Sequence, residues 1–294
     1  MVPYIRACTY LDEPLRHRGN TERTSPVSAI APRVFSRYVA LGDSQTEGVG
    51  DDLSDHGVAL GLADRLAALL AMGNPHLLYA NLAVRGRRIA EVHDEQLPRA
   101  LELEPDLVSI IAGINDVLRP RFDLDATLAH MEEMQREVRA RGTTVVTTTF
   151  PDVSSVVPVA RLLRGRLARL NAGFRAIAAR RGSVLLDFEQ VPAAAASLMY
   201  CEDRLHLNPD GHRHVAHAIA AALGVTESDT TWPTAVPSAP RDGALQRVED
   251  ELRWAQTFLL PWIGRRLTGR SSGDGRHPKR PQLRSMEPGA FRRD

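Results

Sequence analysis

Tyr38-Val39-Ala40-Leu41-Gly42-Asp43-Ser44-Gln45-Thr46-Glu47-Gly48-Val49-Gly50 decides how this chain folds, because a short apolar run stops there at three turn residues. Phe35 to Leu41 is aromatic, β-branched and short, the pattern of a buried strand, and Gly42-Asp43-Ser44 supplies the turn chemistry that ends it. Ser44 therefore sits on the loop leaving a predicted strand. In an open parallel sheet, the loops beyond the carboxyl ends of the strands form the crevice where ligands bind, so a hydroxyl there faces substrate. An isolated Gly-Asp-Ser is better explained as a plain turn, or as a serine capping the next helix, so the rest of the chain has to overturn that reading.

Working outward, Leu60, Leu62, Ala63, Leu66, Ala67, Leu69 and Leu70 recur at helical spacing until Gly73-Asn74-Pro75 ends the run. Strands are predicted over His76–Ala83, Asp106–Ala112, Thr143–Phe150 and Ser183–Phe188. Helices are predicted over Arg88–Leu103, Asp123–Arg141, Val159–Arg180 and Pro209–Leu223. Five strands alternating with helices imply a parallel sheet covered on both faces, since each crossover helix must bury its apolar stripe against the sheet. Residues 35–224 are thus expected to form a three-layer α/β/α domain.

The flanks read differently. With 294 residues, 43% hydrophobic and 25% charged, the chain is long enough for one sizeable core with appendages. Residues 1–34, broken by Pro3, Pro14, Pro26 and Pro32, have no sustained period and no apolar leader segment, and are expected to be a disordered arm. Residues 225–243, rich in Thr, Ser, Asp and Pro, read as a linker. Residues 244–263 read as an amphipathic helix with Leu245, Val248, Leu252, Ala255 and Leu259 on one stripe, widened by Trp254 and Phe258. Its apolar face has two resting places. Packing back onto the domain is the common one; the rarer is a membrane surface, with the basic tail against anionic headgroups. Residues 264–294 are expected to be a disordered basic tail: Arg265–Asp294 holds nine basic and three acidic residues, although the whole chain carries only +1. No apolar run approaches the roughly 20 residues needed to span a bilayer. Cys8 and Cys201 stand in unrelated contexts that suggest neither a disulfide framework nor a thiolate metal site, which fits a cytoplasmic protein, with peripheral membrane contact as the alternative.

Four separated blocks make chemical sense together. Ser44 is the first. The second is Asn81-Leu82-Ala83-Val84-Arg85-Gly86, where glycine lets the backbone approach a ligand and offer its N–H. The third, Gly113-Ile114-Asn115-Asp116, follows a strand and places a side-chain amide at the crevice. The fourth, Asp203-Arg204-Leu205-His206, precedes Asn208-Pro209, a helix N-cap followed by proline at the first helical position. Singly, each block has a plain structural explanation: a cap, a turn or a surface pair. All four in this order, on this topology, favour catalysis.

With these blocks in order across Tyr38 to Leu223, the sequence resembles the GDSL, or SGNH, hydrolase family of esterases and lipases. The one departure is Gln45-Thr46, where the family's name-giving motif has leucine after serine. The resemblance implies a flavodoxin-like SGNH-hydrolase fold and acyl-ester hydrolysis; it does not cover the arm, the linker or the C-terminal helix. Chemistry gives independent reasons for these residue types. A serine hydroxyl is a weak nucleophile unless a base accepts its proton, and a histidine, here His206, is the natural candidate. Asp203, three residues earlier, can reach Nδ1 of His206 while Nε2 faces Ser44, so one loop supplies two members of a triad. The oxyanion donors expected are the backbone N–H groups of Ser44 and Gly86 and the side-chain amide of Asn115. Asp116 is read as an orienting residue. The variable loops after the strands give Arg85, Val117, Leu118, Arg119, Phe150, Pro151 and Asp152 as candidates for a small, open substrate pocket.

The substrate expected is a small-molecule carboxylic ester, with carbohydrate O-deacetylation, thioester cleavage and a non-catalytic membrane-surface module as rivals. The Ser, Asp, His order also occurs in α/β-hydrolases, but Thr46 stands where their Gly-x-Ser-x-Gly elbow needs glycine. His212, His214 and His217 crowd the last helix without a completing ligand, so no metal is expected and they read as surface residues. Gly48-Val49-Gly50 matches no nucleotide loop, no cofactor is implied, and the tail lacks the aromatics and folded module of a nucleic-acid binder.

Overall fold

The computed structural model describes residues 33–54, 57–155, 157–225, 244–261, 264 and 271–288. The N-terminal arm and the 225–243 linker fall almost wholly outside these residues. The sheet begins with β1 (Arg37–Gly42), followed by the short α1 (Ser44–Glu47), α2 (Leu62–Gly73) and β2 (Leu78–Asn81). The predicted helix over 88–103 is α3 (Ile89–Glu91) and α4 (Leu97–Glu102), joined by a π-helical turn over Val92–Gln96. Then come β3 (Leu107–Ile111), α5 (Ile114–Val117), α6 (Leu124–Arg139), β4 (Thr144–Thr148), α7 (Arg164–Arg181), β5 (Val184–Leu186) and α8 (Pro209–Ala222). The chain closes with α9 (Ala244–Trp254), which continues into a π-helical turn, and β6 (Arg280–Ser285).

The sheet order is β5-β4-β3-β1-β2-β6. The first five strands pair in parallel, with β1 at the centre between β2 and β3. Alternation along β1 splits the apolar residues between two cores. Tyr38 and Ala40 join Leu66, Leu70 and Ile219 on the α2/α8 face, whereas Val39 and Leu41 join Met131, Met134 and Phe174 on the α6/α7 face. A strand buried on both faces has no solvent-facing polar side, which is why β1 from Tyr38 on and β3 apart from Ser109 read as apolar runs.

The expected five-stranded sheet is corrected to six strands, and the expected disordered tail is corrected over residues 271–288. β6 pairs antiparallel with β2, Leu78 opposite Ser285 and Tyr79 opposite Arg284, and covers what would otherwise be an exposed edge. Arg280-Pro281-Gln282-Leu283-Arg284-Ser285 shows no alternation because the strand is mostly exposed, and an edge tolerates the missing N–H of Pro281. Its anchors are side chains. Lys279 Nζ reaches Asp64 Oδ2 at 2.6 Å and the Ala59 carbonyl at 2.7 Å, Arg280 stacks on the Tyr79 ring 5.3 Å from its centroid, and Met286 is buried in the α2/α8 core.

α9 touches the domain through Arg204, whose guanidinium pairs with Glu251 at 2.7 Å and lies 4.8 Å from the centroid of Trp254. Leu252 remains exposed. Among the described residues, no helix is long and apolar enough to cross a membrane.

Candidate active site

The serine turn is held by polar groups buried around it. Gln96, carried on the π-helical turn, is bonded twice to the backbone of Gly42: Gly42 N–H donates to Oε1 and Nε2 donates to the Gly42 carbonyl, both at 2.9 Å. Asp43 caps α1 by accepting from the Gln45 N–H, and its second oxygen accepts from Asn115 Nδ2 at 3.0 Å. Burial pushes the Asp43 carboxyl up to about 7, against the pull of the Gln45 N–H, His206 and Asn115. Ser44 opens α1, so its hydroxyl is presented from a turn fixed on both sides.

The loop after β2 is clamped to the same helix. Asn81 Nδ2 donates to the Thr46 carbonyl at 2.8 Å, and Glu47 accepts from both the backbone N–H and the guanidinium of Arg85. Gly86 follows with φ at +79°, in the region that favours glycine. Asn115 comes to the same place from the start of α5; besides Asp43, its amide donates to the Arg87 carbonyl at 3.1 Å. Asp116 accepts from the Ile89 N–H at 3.0 Å and so ties α5 to the start of α3, an orienting role. Its burial raises it to about 6.

The fourth block closes the ring. His206 Nδ1 lies 2.5 Å from Asp203 Oδ2, while Asp203 Oδ1 accepts from the Leu205 and His206 N–H groups at 3.0 Å each. Burial pushes the Asp203 carboxyl up, but the His206 ring and these N–H donors outweigh it and hold it below the usual carboxylate range. Arg204, between the pair, takes a left-handed φ of +59°, uncommon for a residue with a side chain. Gln45 bridges this loop to the serine turn: Nε2 donates to the Leu205 carbonyl at 2.9 Å and Oε1 accepts from the Leu207 N–H at 3.3 Å. The sequence marked Gln45 only as a departure from a motif, and that departure was the one signal pointing to it.

Ser44, Gly86, Asn115 and His206 all line one cleft of about 200 Å³. Of the candidate pocket residues, Arg85, Leu118, Phe150 and Pro151 line it too. Val117, Arg119 and Asp152 do not. Val117 is buried in the α6/α7 core, Arg119 gives its carbonyl to Arg166 at 2.7 Å, and Asp152 is taken by Arg164 at 2.5 Å and the Ser154 N–H. Residue spacing cannot tell which way a loop side chain turns. The sequence reading also missed Tyr200, which lines the cleft, and Ser272 from the C-terminal segment. A smaller apolar hollow of about 70 Å³ shares Gln45, Phe150, Pro151 and Tyr200 with the cleft and extends to Leu62, Met199 and Val215.

Two further groupings stand apart. His212 is wholly buried, correcting its expected surface position: Nδ1 accepts from the Leu62 N–H and Nε2 lies 3.1 Å from the Val49 carbonyl, and burial lowers it to about 4. Among the described residues, His93, Asp94 and His130 bring metal-ligating atoms within 4.8 Å of one another, but none of them lines the cleft.

Comparison with known proteins bears on the family and the fold. The family model described as GDSL-like lipase/acylhydrolase matches residues 40–214. No match was found among curated protein sequences. Among solved structures, the chain is similar to a catalytic mutant of Axe2, an acetylxylan esterase from Geobacillus stearothermophilus, at 19% identity and a TM-score of 0.54, covering 64% of this chain and 94% of that one. It is similar to the lipase/acylhydrolase from Enterococcus faecalis at 22% identity and a TM-score of 0.53, covering 64% of this chain and 95% of that one. LAE5, an alpha/beta hydrolase enzyme from the metagenome of Lake Arreo, matches at 26% identity with a TM-score of 0.51, covering 66% and 97%. A motif order read along the chain, a parallel sheet that gathers those motifs at one cleft, and a family match across more than half of the residues converge: the chain belongs to the GDSL-like lipase/acylhydrolase family and is an ester-hydrolysing enzyme of the SGNH type.

Proposed function

We propose that the protein is a serine esterase that cleaves small carboxylic esters through an acyl-enzyme on Ser44. The observation that carries this reading is the pairing of His206 with Asp203 at 2.5 Å on a loop that shares its cleft with Ser44, Gly86 and Asn115. Asp203 fixes the imidazole with a proton on Nδ1, leaving Nε2 to take the Ser44 proton as the hydroxyl attacks the carbonyl carbon. The oxyanion is received by the N–H groups of Ser44 and Gly86 and by the Asn115 amide, which gives up its longer contact, to the Arg87 carbonyl, to do so. The imidazolium then returns the proton to the departing alcohol, and a water activated on the same nitrogen releases the acid. No metal or cofactor enters this scheme.

The narrow apolar hollow beside the cleft supports a short acyl group. Acetyl esters, such as the carbohydrate ester in the name of the acetylxylan esterase relative, are therefore the substrate class we place first. Turnover of p-nitrophenyl acetate by wild type and Ser44→Ala tests the mechanism. A drop of about three orders of magnitude or more is expected, and equal turnover would overturn the reading. Peripheral membrane contact is a separate proposal, supported by the exposed Leu252 and Leu260 of the C-terminal helix; co-sedimentation with anionic liposomes tests it.

A further inference from the structure

The family match ends at residue 214, yet a segment more than fifty residues later forms part of the cleft. Ser271 to Arg276 folds into a compact turn: the Ser271 N–H donates to Asp274 Oδ2 at 2.8 Å, the Arg276 N–H donates to the Gly273 carbonyl at 3.0 Å, and Arg276 Nε donates to the Ser272 carbonyl at 3.1 Å. This turn lies directly on the Arg85-Gly86 loop. A Cβ built on Gly86 would stand 2.3 Å from Ser271 Oγ, and one built on Gly273 would stand 2.1 Å from the Arg85 carbonyl oxygen. Glycine at position 86 is thus favoured by its backbone conformation, and a side chain there would press on the Ser271 hydroxyl of the turn. The Arg85-Gly86 loop is held between Glu47 on one side and the turn on the other. Ser272 is exposed and lines the cleft, whereas Gly273 is buried against the loop. The turn is moored from behind by Lys279, largely buried on Asp64, and by the pairing of β6 with β2.

We infer that the Ser271–Arg276 turn is a wall of the active-site cleft and that Ser272 is a specificity-determining residue, limiting the bulk of the ester accepted beside Gly86. The inference rests on the Ser44 esterase reading. Ser272 borders the cleft, so a side chain larger than serine at that position can reach into it. Displacing the turn, by contrast, widens the cleft at that side. The two perturbations are therefore expected to move selectivity in opposite directions, which a purely structural role for the turn would not produce.

The test uses full-length wild type, Ser44→Ala, Ser272→Trp and Gly273→Val, with kcat and KM measured separately on ethyl acetate and p-nitrophenyl butyrate. For Ser272→Trp the ratio of kcat/KM, bulky over small ester, is expected to fall by about fivefold or more through KM, with an unchanged melting temperature. For Gly273→Val the same ratio is expected to rise. Should Gly273→Val fail to fold, Ser272→Trp decides alone. A ratio within about twofold of wild type in folded Ser272→Trp, while turnover still depends on Ser44, overturns the wall and leaves the esterase reading standing. Turnover that survives in Ser44→Ala overturns the esterase reading, and the wall with it.

Discussion

Replacing Gln45 with leucine, the residue found there in the family's name-giving motif, probes how the two halves of the site are kept in register. The Gln45 amide spans the loop on either side of His206, bonding the Leu205 carbonyl at 2.9 Å and the Leu207 N–H at 3.3 Å. Leucine fills a similar volume but makes neither bond, leaving one backbone acceptor and one backbone donor without that partner in a partly buried place. Each lost bond of this kind costs about 1 kcal/mol, and more where water cannot replace it, so a loss of about 2–3 kcal/mol of stability is expected. The larger consequence is for catalysis. The His206 loop would keep its ties to Asp203 and to the Cys201 N–H but lose its direct link to the serine turn, and a displacement of about 1 Å between base and nucleophile costs on the order of 100-fold in rate. We expect kcat on p-nitrophenyl acetate to fall by about 10- to 100-fold with KM little changed. Gln45→Glu, which keeps the acceptor for the Leu207 N–H but sets a carboxylate against the Leu205 carbonyl, should be no better than leucine. Stability is read by urea denaturation and kcat by initial rates. A Gln45→Leu enzyme with wild-type kcat and wild-type midpoint would refute the coupling of the two loops through this amide.

Four further outcomes are expected. Asn115→Ala should lower kcat by about 100- to 1,000-fold, as for loss of one oxyanion donor, and steady-state kinetics would expose an intact oxyanion hole as a kcat near wild type. Asp43, raised by burial to about 7, takes up its proton more readily folded than unfolded, so its contribution to stability is complete in acid and is lost as pH rises toward 7. Asp43→Asn removes that loss, and its stability relative to wild type should improve by about 2–3 kcal/mol between pH 5 and pH 7.5 in paired urea titrations; a pH-independent difference would contradict the assignment. Lys279→Met leaves Asp64 buried without its partner and should cost about 3 kcal/mol at neutral pH. Because burial raises Asp64, a proton can replace the lysine, so the cost should shrink as pH falls; an equal cost at pH 5 and pH 8 would show that the charge is not the cause. Last, the narrowness of the hollow beside the cleft predicts that kcat/KM falls from butyrate to longer p-nitrophenyl esters, and a rise toward long chains would contradict it.

What the sequence determined by itself was whatever local chemistry fixes. The parallel strands are legible because burial on both faces leaves Tyr38–Leu41 wholly apolar and Leu107–Ile111 apolar but for Ser109, and the closing helix because Asn208-Pro209 is a cap with a defined geometry. The Asp203–His206 pair was legible for a similar reason, since three residues in one turn bring the two groups together whatever lies elsewhere. Only the tertiary structure decided the rest. Residue identity does not say which way a loop side chain turns, so Val117 went to the core and Asp152 to Arg164, while Gln45, Gln96 and Tyr200 turned toward the site. β6 was illegible because its order comes from β2: a polar, proline-containing segment becomes a strand only where an unpaired edge and a buried carboxylate at Asp64 are waiting for it. Ser272 reached the cleft by the same route, through pairings made across some 200 residues of chain that no local pattern encodes.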